Sequence, residues 1–551
     1  MRVVIVGGVA GGMSAATRLR RLNAEAEIVV IERSRYVSYA NCGLPYFVGG
    51  VIDEKESLLL QTPESLHDRF RLDVRVASEV LSINTEQQNV RVQDLVTNQR
   101  YDLSYDFLIL SPGASPVIPA IPGIERAFAL RTVEDVERLV EAVEESPRHA
   151  LVIGGGFIGL EIAENLTHRG IETTIVEAAA QVLAPLDPEM ALPVVDELRR
   201  NGVCVYLGDS VASITPTHVH LTSGEFIAAD LVVVAIGVRP DTKLASEAGL
   251  AIGERGGIAV DAFQRTSAAN VYAVGDAAEK IDALDGSSTL VPLANLANAH
   301  GRTVADHLSG RRVRPHVSMG TAIVKVFNLT IAATGWNEKR LVVNGRGFTA
   351  IHTHPASHAS YYPGAEPMAL KLLIDRTSGE ILGAQGVGSE GVDRRIDVLA
   401  TAMRAHLSAP ELADLELAYA PPFGSAKDPI NMLGYVAENV LSGLVETIQW
   451  GEVEDYRSRG ATILDVRTAG EYALGTLPGA INIPVDELRD RVFELEGPEV
   501  VVYCQVGQRG HTAARLLREL GFRAKNLDGG YQTWRHSPAA TEVQLLASSP
   551  M

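Results

Sequence analysis

One of the three cysteines in this sequence of 551 residues, Cys42, stands where a thiolate could act as a nucleophile. A lone cysteine is usually a small buried hydrophobe, but the segment around this one, SYANCGLP at 38–45, is polar and rich in glycine and proline. No second cysteine lies near Cys42 in the sequence, and the position five residues on is Phe47, so no local dithiol can form. The thiolate must therefore cycle through a mixed disulfide, a persulfide or a sulfenic acid, and a nearby helix N-terminus would lower its pKa.

A second reactive thiol is predicted at Cys504, which directly follows the apolar run Val500–Tyr503. The segment after it, QVGQRG at 505–510, is typical of a loop whose backbone N–H groups surround a sulfur anion. Arg509 adds positive charge, and a helix from about residue 511 would add its dipole. The third thiol, Cys204, lies in the strand-like run Val203–Tyr206 and is interpreted as a buried structural residue.

A glycine-rich turn between a strand and a helix predicts a nucleotide site at 154–159, GGGFIG, which fits the pattern G-x-G-x-x-G. Glu177 follows Gly156 by 21 positions. In such a turn the pyrophosphate lies against the helix N-terminus and the carboxylate binds a ribose diol. An acid there would repel a 2′-phosphate, and the segment 178–181 offers no base, so we expect NADH in preference to NADPH.

A related turn lies at 7–12, GGVAGG, although Val9 stands where the middle glycine of the pattern belongs. Glu32 ends the following strand, 20 positions after Gly12. Farther on, Asp276 follows an apolar strand and a glycine in the segment 275–277. Its carboxylate could cap a helix or bond the ribityl chain of a flavin.

The elements that must position these residues form an α/β chain with several domains. Apolar strands alternate with helices through the first half, which predicts parallel sheets. From about residue 321 the strands alternate like antiparallel ones, which indicates an α+β domain closed by a helix around 431–442. We predict two nucleotide-binding domains, 1–112 with 249–320 and 113–248, then an α+β domain at 321–442. A linker at 443–454 leads to a further α/β domain at 455–537 and a frayed tail.

The composition narrows the classes of partner. The formal charge of −19, from 49 basic and 68 acidic residues, argues against a nucleic-acid binder. Three cysteines fit a reducing compartment rather than a disulfide scaffold. We see no signal peptide, no run of membrane-spanning length and no metal site, so the expected protein is soluble and cytoplasmic.

Residues 1–440 resemble the flavoprotein reductases with two dinucleotide-binding domains, because both turns are accompanied by the string from Thr266 to Ala277 that matches their second FAD motif. The resemblance implies FAD on the first nucleotide domain and the nicotinamide cofactor on the second. The cofactor-binding residues it implies are Gly7, Ala10, Gly11, Gly12, Glu32, Arg33, Ser111, Pro112, Gly113, Arg131, Gly154, Gly156, Phe157, Ile158, Gly159, Glu177, Gly237, Gly275, Asp276 and Ala294.

Within that group the single cysteine and the string at 8–12, GVAGG, look like the coenzyme A disulfide and persulfide reductases. NADH peroxidases and oxidases carry a histidine where this chain has Ala10. The absence of that histidine disfavours peroxide chemistry in this chain. The strings HASYYPG at 358–364 and AYAPPF at 418–423 match the dimerisation domain of this family. The resemblance implies that Tyr361 and Tyr419 reach Cys42 from the partner subunit of a homodimer; the alternative is that they only cap the dimer interface.

The same resemblance implies a set of coenzyme A contacts, part of which the partner subunit would supply. Arg18 and Arg21 share a helix face, as phosphate ligands or as solvated residues would. The implied contacts are Arg18, Arg21, Ser38, Asn41, Asn298, Lys427 and Tyr435.

The last domain resembles rhodaneses over about 455–536, because the strings ILDVR at 463–467, PGA at 478–480 and the loop 504–509 occur in the order of that family. A loop of six residues matches the sulfurtransferase type, in which Cys504 would carry a persulfide. The predicted function is NADH- and FAD-dependent reduction of coenzyme A persulfide, polysulfide and coenzyme A disulfide at Cys42, with sulfane sulfur transferred by the rhodanese domain. The alternatives are an NADH oxidase or peroxidase, and a non-enzymatic sulfur carrier or redox sensor.

Overall fold

The structure, a computed structural model, describes residues 1–548, and side chains are described as far as residue 543. It has two compact units, one of residues 1–180 and 202–320, the other of residues 181–201 and 321 onward. Within residues 1–548, no helix has the length and apolar character needed to cross a membrane.

The first nucleotide domain is built on a parallel sheet of five strands with a buried apolar core, as the sequence predicts. Val3, Val4 and Ile5 on the central strand are fully buried. The strands in spatial order are Val271–Ala273, Phe107–Leu110, Arg2–Val6, Glu27–Ile31 and Asp73–Arg75. The helices beside them are Ala10–Leu22, Leu44–Val48, Pro63–Phe70 and Ala294–Leu308, with 3-10 turns at Asn41–Gly43, Lys55–Leu58 and Gly275–Ala277.

The second nucleotide domain repeats this plan with another parallel sheet of five strands. These strands in order are Cys204–Leu207, Glu172–Glu177, His149–Ile153, Leu231–Val234 and Phe128–Ala129. The helices of this domain and the segment after it are Val133–Glu144, Phe157–His168 and Lys243–Glu247, with a 3-10 turn at Ile124–Arg126.

Small sheets complete the first unit. Two have three antiparallel strands each, Ser78–Asn84 with Asn89–Asp94 and Arg100–Ser104, and Val211–Ile214 with His218–Leu221 and Phe226–Ala228. The others pair Ala114–Pro116 with Val238–Pro240, and Lys280–Asp282 with Ser288–Thr289 and Val317–Ser318.

The second unit opens on an antiparallel sheet of five strands, which confirms the predicted change of pattern near residue 321. Its strands in order are Ala322–Val326, Leu329–Gly335, Ile381–Gly388, Met368–Asp375 and Phe348–Thr353. Its helices are Glu338–Val343, Val392–Arg404 and Pro429–Leu441, with a 3-10 turn at Pro410–Asp414. The last helix begins before the predicted residue 431, because the Asp428 side chain accepts the N–H of Ile430 and caps it.

The C-terminal domain is a parallel α/β sheet that begins earlier than predicted. Its strands in order are Thr447–Ile448, Arg523–Leu527, Glu499–Tyr503, Thr462–Asp465 and Ile481–Asn482. Its helices are Val453–Ser458, Ala469–Ala473, Leu488–Arg491, Gln508–Glu519, Gly530–Arg535 and Pro538–Ser548, with 3-10 turns at Trp450–Glu452 and Val492–Glu494.

Two expectations about this domain are wrong. The segment predicted as a linker at 443–454 supplies its edge strand, because Thr447 and Ile448 pair with Asn526 and Leu527. The tail after 537, predicted to be frayed, forms the helix Pro538–Ser548, and its Ala540 is buried in the domain core.

Residues 181–201, which the sequence prediction placed in the domain 113–248, instead belong to the second unit. The reason is electrostatic. The buried Lys371 ammonium contacts Asp187 Oδ2 at 2.9 Å, Glu338 Oε1 at 2.7 Å and also the Glu189 carboxylate. These three carboxylates lie close enough together to hold a cation, and Lys371 supplies the positive charge among them.

Replacing Lys371 with methionine should therefore destabilise the second unit by about 3–5 kcal/mol, because the carboxylates would stay buried without their cation. The measurement is urea unfolding followed by fluorescence and circular dichroism. Lys325→Met, on an exposed position of the same sheet, is the control and should change the free energy of unfolding by less than about 0.5 kcal/mol. Equal effects of the two substitutions would contradict the structural role of the cluster.

Candidate active sites

The first glycine-rich turn is shaped by close approaches of backbone to backbone. Gly7 has φ +98°, and a Cβ there would lie 2.0 Å from the carbonyl oxygen of Ser111. A Cβ on Gly12 would lie 1.9 Å from the carbonyl oxygen of Gly7. Ala10 begins the helix Ala10–Leu22, whose first turn carries no acidic residue. The turn therefore presents a helix N-terminus suited to an anionic phosphate.

Glu32 lies beside this turn and is held by the backbone. One carboxylate oxygen accepts the N–H of Gly8 at 2.7 Å, and the other accepts that of Ser34 at 2.8 Å. Burial raises the pKa of Glu32, and these two hydrogen bonds oppose the shift. Arg33 is exposed on the next position. Each carboxylate oxygen has a second lone pair, so a ribose diol can still donate to Glu32.

Two residues predicted to bind FAD, Arg131 and Asp276, lie together in the first unit. Their side chains form an ion pair of 2.7 Å in the first unit. Gly113, with φ +79°, lies beside the Arg131 guanidinium, since a Cβ on it would be 3.3 Å from Nη2. Asp276 stands in a 3-10 turn after Gly275, and Lys280 donates to the carbonyl oxygens of both Gly275 and Ala278. These contacts fix the turn that carries the Asp276 carboxylate.

The second glycine-rich turn has the same geometry as the first. Glu177 accepts the N–H groups of Gly155 and Ala179, each at 2.7 Å. Gly154 has φ +109°, and a Cβ on Gly159 would lie 2.0 Å from the carbonyl oxygen of Gly154.

Gly156 differs from these glycines, because within residues 1–548 no atom beyond its chain neighbours and its own helix backbone lies within 4 Å of the place a Cβ would occupy. Nor does any lie near such an atom on Gly237. Gly156 is the N-cap of the helix that begins with Phe157 and Ile158. The packing of the protein does not itself require a glycine at position 156. The open space there fits close approach by a dinucleotide pyrophosphate.

Cys42 lies in the 3-10 turn Asn41–Gly43, just before the helix Leu44–Val48, and its side chain is exposed. The chain's own residues raise the pKa of Cys42. Desolvation by the surrounding protein is the largest cause, Glu161 raises the pKa further, and Arg131 lowers it. The lowering of this pKa is expected from a bound flavin together with a helix N-terminus, and the chain's own residues act in the opposite direction. The helix that follows Cys42 has five residues.

Sequence reasoning missed Glu161 and Tyr46, which lie in the surroundings of Cys42 in the first unit. The Tyr46 hydroxyl lies 3.4 Å from the Glu161 carboxylate. Burial raises the pKa of Glu161 to about 7, so this group gains and loses its proton near neutral pH. The signal available in the sequence is an acid two residues after Gly159, on a helix that is otherwise largely apolar.

The structure places the predicted substrate contacts of the first unit around the helix Ala10–Leu22. Arg18 forms an ion pair with Asp306 at 2.7 Å, and Arg21 lies over the ring of Phe70. Asn298 accepts the Ser14 hydroxyl at 2.7 Å. Ser38 adopts φ +50° and donates its N–H to the carbonyl oxygen of Gly8, which ties the segment of Asn41 and Cys42 to the first turn.

In the second unit the structure brings together the two predicted tyrosines. The hydroxyls of Tyr361 and Tyr419 share a hydrogen bond of 2.9 Å, and both side chains are exposed, Tyr361 by 73%. This bond raises the pKa of Tyr361. Lys427 lies over the ring of Tyr435, 6.0 Å from its centroid. Two exposed, mutually bonded phenols form a surface that can donate a proton to a group outside this unit.

Cys504 directly follows the strand Glu499–Tyr503 and is fully buried. Helix Gln508–Glu519 begins three residues before the predicted start, because Gly507 adopts φ +93° and lets the chain turn into it. Arg509 thus lies in the first turn of this helix and forms a bidentate ion pair with Glu471, at 2.6 and 2.8 Å. Arg509 lowers the pKa of Glu471 to about 2. The helix N-terminus and Arg509 both favour negative charge at this site.

Sequence reasoning also missed the role of Arg467. Its buried guanidinium pairs with Asp465 at 2.6 Å, reaches the side-chain oxygen of Gln505 at 3.1 Å and lies over the ring of Tyr531. Asp465 and Arg467 both belong to the ILDVR string, so the sequence indicated the place of this ion pair but not the contacts of Arg467 with Gln505 and Tyr531.

Cys204, predicted to be buried, is exposed at the start of its strand. The neighbouring Val203 is the residue that faces the core.

Two glycine-rich nucleotide turns in one unit with an exposed thiol that has no second cysteine beside it in the sequence, and a further thiol before a helix N-terminus, define a nucleotide-dependent thiol oxidoreductase with an attached sulfur module. The chain belongs to the pyridine nucleotide-disulphide oxidoreductase family, which it matches over residues 1–301. It also matches the dimerisation domain of that family over 321–428 and the rhodanese-like domain over 449–537. Family membership implies FAD and NAD(P)H as its cofactors.

Three similar proteins cover most or all of these domains. The structure of reduced CoADR-RHD from Bacillus anthracis is 47% identical, covers 97% of this chain and 98% of its own, and superposes with a TM-score of 0.96. A NAD-dependent persulfide reductase from A. fulgidus is 37% identical over 97% of this chain and 100% of its own, with a TM-score of 0.92. Coenzyme A disulfide reductase of Staphylococcus epidermidis is 34% identical over 439 residues, 79% of this chain and all of its own.

The charges around Cys42 predict opposite effects of two substitutions on its reactivity. Glu161→Gln should speed alkylation of Cys42 by iodoacetamide above about pH 7, where Glu161 is ionised, and leave it unchanged below. Arg131→Met should slow alkylation, because it removes the cation that favours the thiolate.

The measurement is mass spectrometry of the Cys42 peptide after timed labelling between pH 6 and pH 9. Glu172→Gln, an exposed acid at the far end of the strand Glu172–Glu177, is the control and should change nothing. Shifts of the same sign from Glu161→Gln and Arg131→Met would contradict the electrostatic account.

Proposed function

We propose that this protein uses NADH and FAD to reduce coenzyme A persulfide, polysulfide and coenzyme A disulfide at Cys42, while its rhodanese domain transfers sulfane sulfur through Cys504. One observation carries the proposal: Cys42 is exposed, has no second thiol beside it, and shares one compact unit with both nucleotide turns. The names of the relatives with 34–47% identity support the substrate class.

The residues present fit FAD at the first turn. The Gly7–Gly12 backbone, the Glu32 carboxylate and the fixed Asp276 are where a pyrophosphate, a ribose and a ribityl chain would be held. Bound FAD would pass electrons from NADH to the sulfur carried by Cys42. The remaining chemistry belongs to side chains of this protein.

The Cys42 thiolate attacks the outer sulfur of a coenzyme A persulfide. The S–S bond of the substrate breaks, a new S–S bond forms to Cys42, and the coenzyme A thiolate leaves. Two electrons and a proton then cleave the Cys42 persulfide into hydrogen sulfide and the thiolate. With coenzyme A disulfide the same attack gives a Cys42–coenzyme A mixed disulfide, which two electrons cleave into two thiolates.

Proton supply is the part played by Tyr361 and Tyr419. We propose a homodimer in which these phenols face Cys42 of the partner subunit and protonate the departing thiolate. Their exposure and shared hydrogen bond support this role, because one phenol can stabilise the other as it gives up its proton.

Coenzyme A would bind through cations on the first helix and through residues of the partner subunit. Arg18 and Arg21 would hold its phosphates, with Ser38, Asn41 and Asn298 beside them. Lys427 and Tyr435 would come from the second subunit. Arg18 already pairs with Asp306, so phosphate binding there would exchange one partner for another. Because Ala10 leaves no histidine in the first turn, we favour sulfur acceptors over oxygen or peroxide.

The decisive experiment compares anaerobic NADH oxidation with coenzyme A persulfide, coenzyme A disulfide and polysulfide. We expect Cys42→Ser to abolish turnover of all three acceptors, a loss of about a thousandfold or more, because the nucleophile is lost and Cys204, the other thiol of this unit, stands on a strand of the second nucleotide domain. Cys504→Ser should leave disulfide reduction unchanged and abolish sulfur transfer from thiosulfate.

Cys204→Ser is the matched control, since Cys204 is also exposed, and it should behave like the unmodified protein in every assay. NADH oxidation that continues in Cys42→Ser would refute the proposal. Oxygen uptake that matches NADH loss without release of sulfide would identify an oxidase, and tight persulfide retention with turnover below about 1 s⁻¹ would identify a carrier or sensor.

The preference for NADH is proposed from Glu177 and the lack of a base at 178–181. Replacing Glu177 with alanine and Ala178 with arginine should raise the NADPH-to-NADH ratio of kcat/KM by about tenfold, because a 2′-phosphate then meets a cation instead of a carboxylate. Steady-state kinetics with both nucleotides measure the ratio. Glu172→Gln on the same strand should leave it unchanged, and an unchanged ratio in the double variant would contradict the assignment.

A further inference from the structure

A buried histidine joins the antiparallel sheet of the second unit to the rhodanese domain. His352 lies on the strand Phe348–Thr353 and is 4% exposed. Its Nδ1 donates to Asp528 Oδ2 at 2.5 Å, and its backbone N–H donates to the same carboxylate at 2.9 Å. Its Nε2 donates to Glu189 Oε1 at 3.0 Å. One ring thus bridges two carboxylates that belong to different segments of this unit.

Asp528 directly precedes the turn that lies against the sulfur loop. Gly529 and Gly530 both have positive φ, 64° and 61°. A Cβ on Gly530 would lie 2.4 Å from the carbonyl oxygen of Cys504, so the two backbones are in contact. The N–H of Tyr531 then donates to that carbonyl at 2.8 Å, and the N–H of Gln532 to the carbonyl of Gln505 at 2.9 Å. Two residues of chain therefore separate the bond to His352 from the backbone of Cys504.

The opposite side of His352 is anchored in the buried charge cluster. Glu189 contacts both His352 and the Lys371 ammonium, and Asp187 bonds Lys371 and the Gln385 side chain. Because each member is buried and charge-paired, displacement of one leaves others without partners, which is costly. The cluster thus gives His352 a rigid support.

We propose that His352 is a positioning residue for sulfur transfer, which holds the Cys504 loop in its working geometry through Asp528 and the Gly529–Gly530 turn. This inference rests on the proposed role of Cys504. The bond between His352 and Asp528 makes the geometry of the Cys504 loop depend on the antiparallel sheet.

The charge of His352 gives the bond a pH dependence. Burial lowers the pKa of His352, but Asp528 and Glu189 raise it more, with Lys371 opposing them, and the result is about 9. Because this lies above the ordinary pKa of histidine, the stabilisation is complete below about pH 6.5 and is lost as the pH rises through 9. The neighbouring His354 has its pKa lowered to about 3 by burial and by the charge of His352, so it stays neutral throughout.

The test compares His352→Gln, Asp528→Asn and the double variant in the full-length holoenzyme. The measurements are sulfur transfer from thiosulfate to cyanide, coenzyme A disulfide reduction, and hydrogen exchange of peptides that span 504–511. We expect each single substitution to reduce sulfur transfer about tenfold, as loss of a charged hydrogen bond does, and to speed exchange in 504–511. Disulfide reduction should not change, and the double variant should be no worse than either single one.

A matched control is His354→Gln, which removes the 2.7 Å bond from the same strand end to Thr533 but leaves the Asp528 pair intact. It should leave exchange in 504–511 unchanged. The ratio of wild-type to His352→Gln sulfur transfer, in which the titration of the substrates cancels, should fall toward one as the pH rises through 9. A merely structural role would leave that ratio independent of pH.

Other outcomes separate this inference from the proposed function. If His352→Gln transfers sulfur and exchanges hydrogen at wild-type rates while Cys504→Ser is inactive, the positioning role is overturned and the proposed sulfurtransferase role of Cys504 is kept. Additive losses in the double variant also overturn it, because the two residues then act independently. If Cys504→Ser transfers sulfur normally, the proposed role of Cys504 fails, and unchanged exchange in His352→Gln would overturn the positioning role as well.

Discussion

A thiol that has no second cysteine beside it cannot form a local disulfide, and this constraint applies to Cys42. Under the proposed function, sulfur carried by Cys42 would have to be removed by electrons from another group. The first unit meets it by placing both glycine-rich turns and the thiol in one compact body. Ser38 illustrates the coupling, since its strained φ of +50° is accompanied by a hydrogen bond to Gly8 of the first turn. The thiol is thereby fixed relative to the turn rather than carried on an independent loop.

The chain's own residues act in opposite directions on the pKa of Cys42. The chain alone disfavours the thiolate, through desolvation and Glu161, and Arg131 opposes them only in part. Under the proposed function, which regenerates the Cys42 thiolate in each turnover, the site would need a further stabilising group or a proton donor. The exposed pair of Tyr361 and Tyr419, on the other unit, has the chemistry of such a donor. Glu161 and Tyr46 offer a second proton reservoir close to neutral pH.

The sequence predicted the features that depend on local pattern. The antiparallel sheet begins at Ala322, beside the change of pattern predicted near residue 321, and both glycine-rich turns lie between a strand and a helix. It did not predict features set by tertiary partners. Thr447 and Ile448 look like a linker because an edge strand of two residues carries no periodicity, and their pairing with Asn526 and Leu527 is visible only in the fold. The start of helix Gln508–Glu519 differs from the predicted start near residue 511. The turn at Gly507 sets this start, and composition does not reveal its conformation.

Buried charge was the least predictable feature, and it shapes how the second unit is assembled. Nothing in the spacing of Asp187, Glu189, Lys371, His352 and Asp528 relates them, since they come from three separate parts of the chain. Once buried, none can lose its partner cheaply, so the cluster draws residues 181–201 away from the nucleotide domain that surrounds them in sequence. The same argument extends through His352 to the rhodanese domain. A lysine among three carboxylates, and a histidine between one of those three and a fourth, make one ionic framework, and the turn that supports Cys504 begins directly after Asp528.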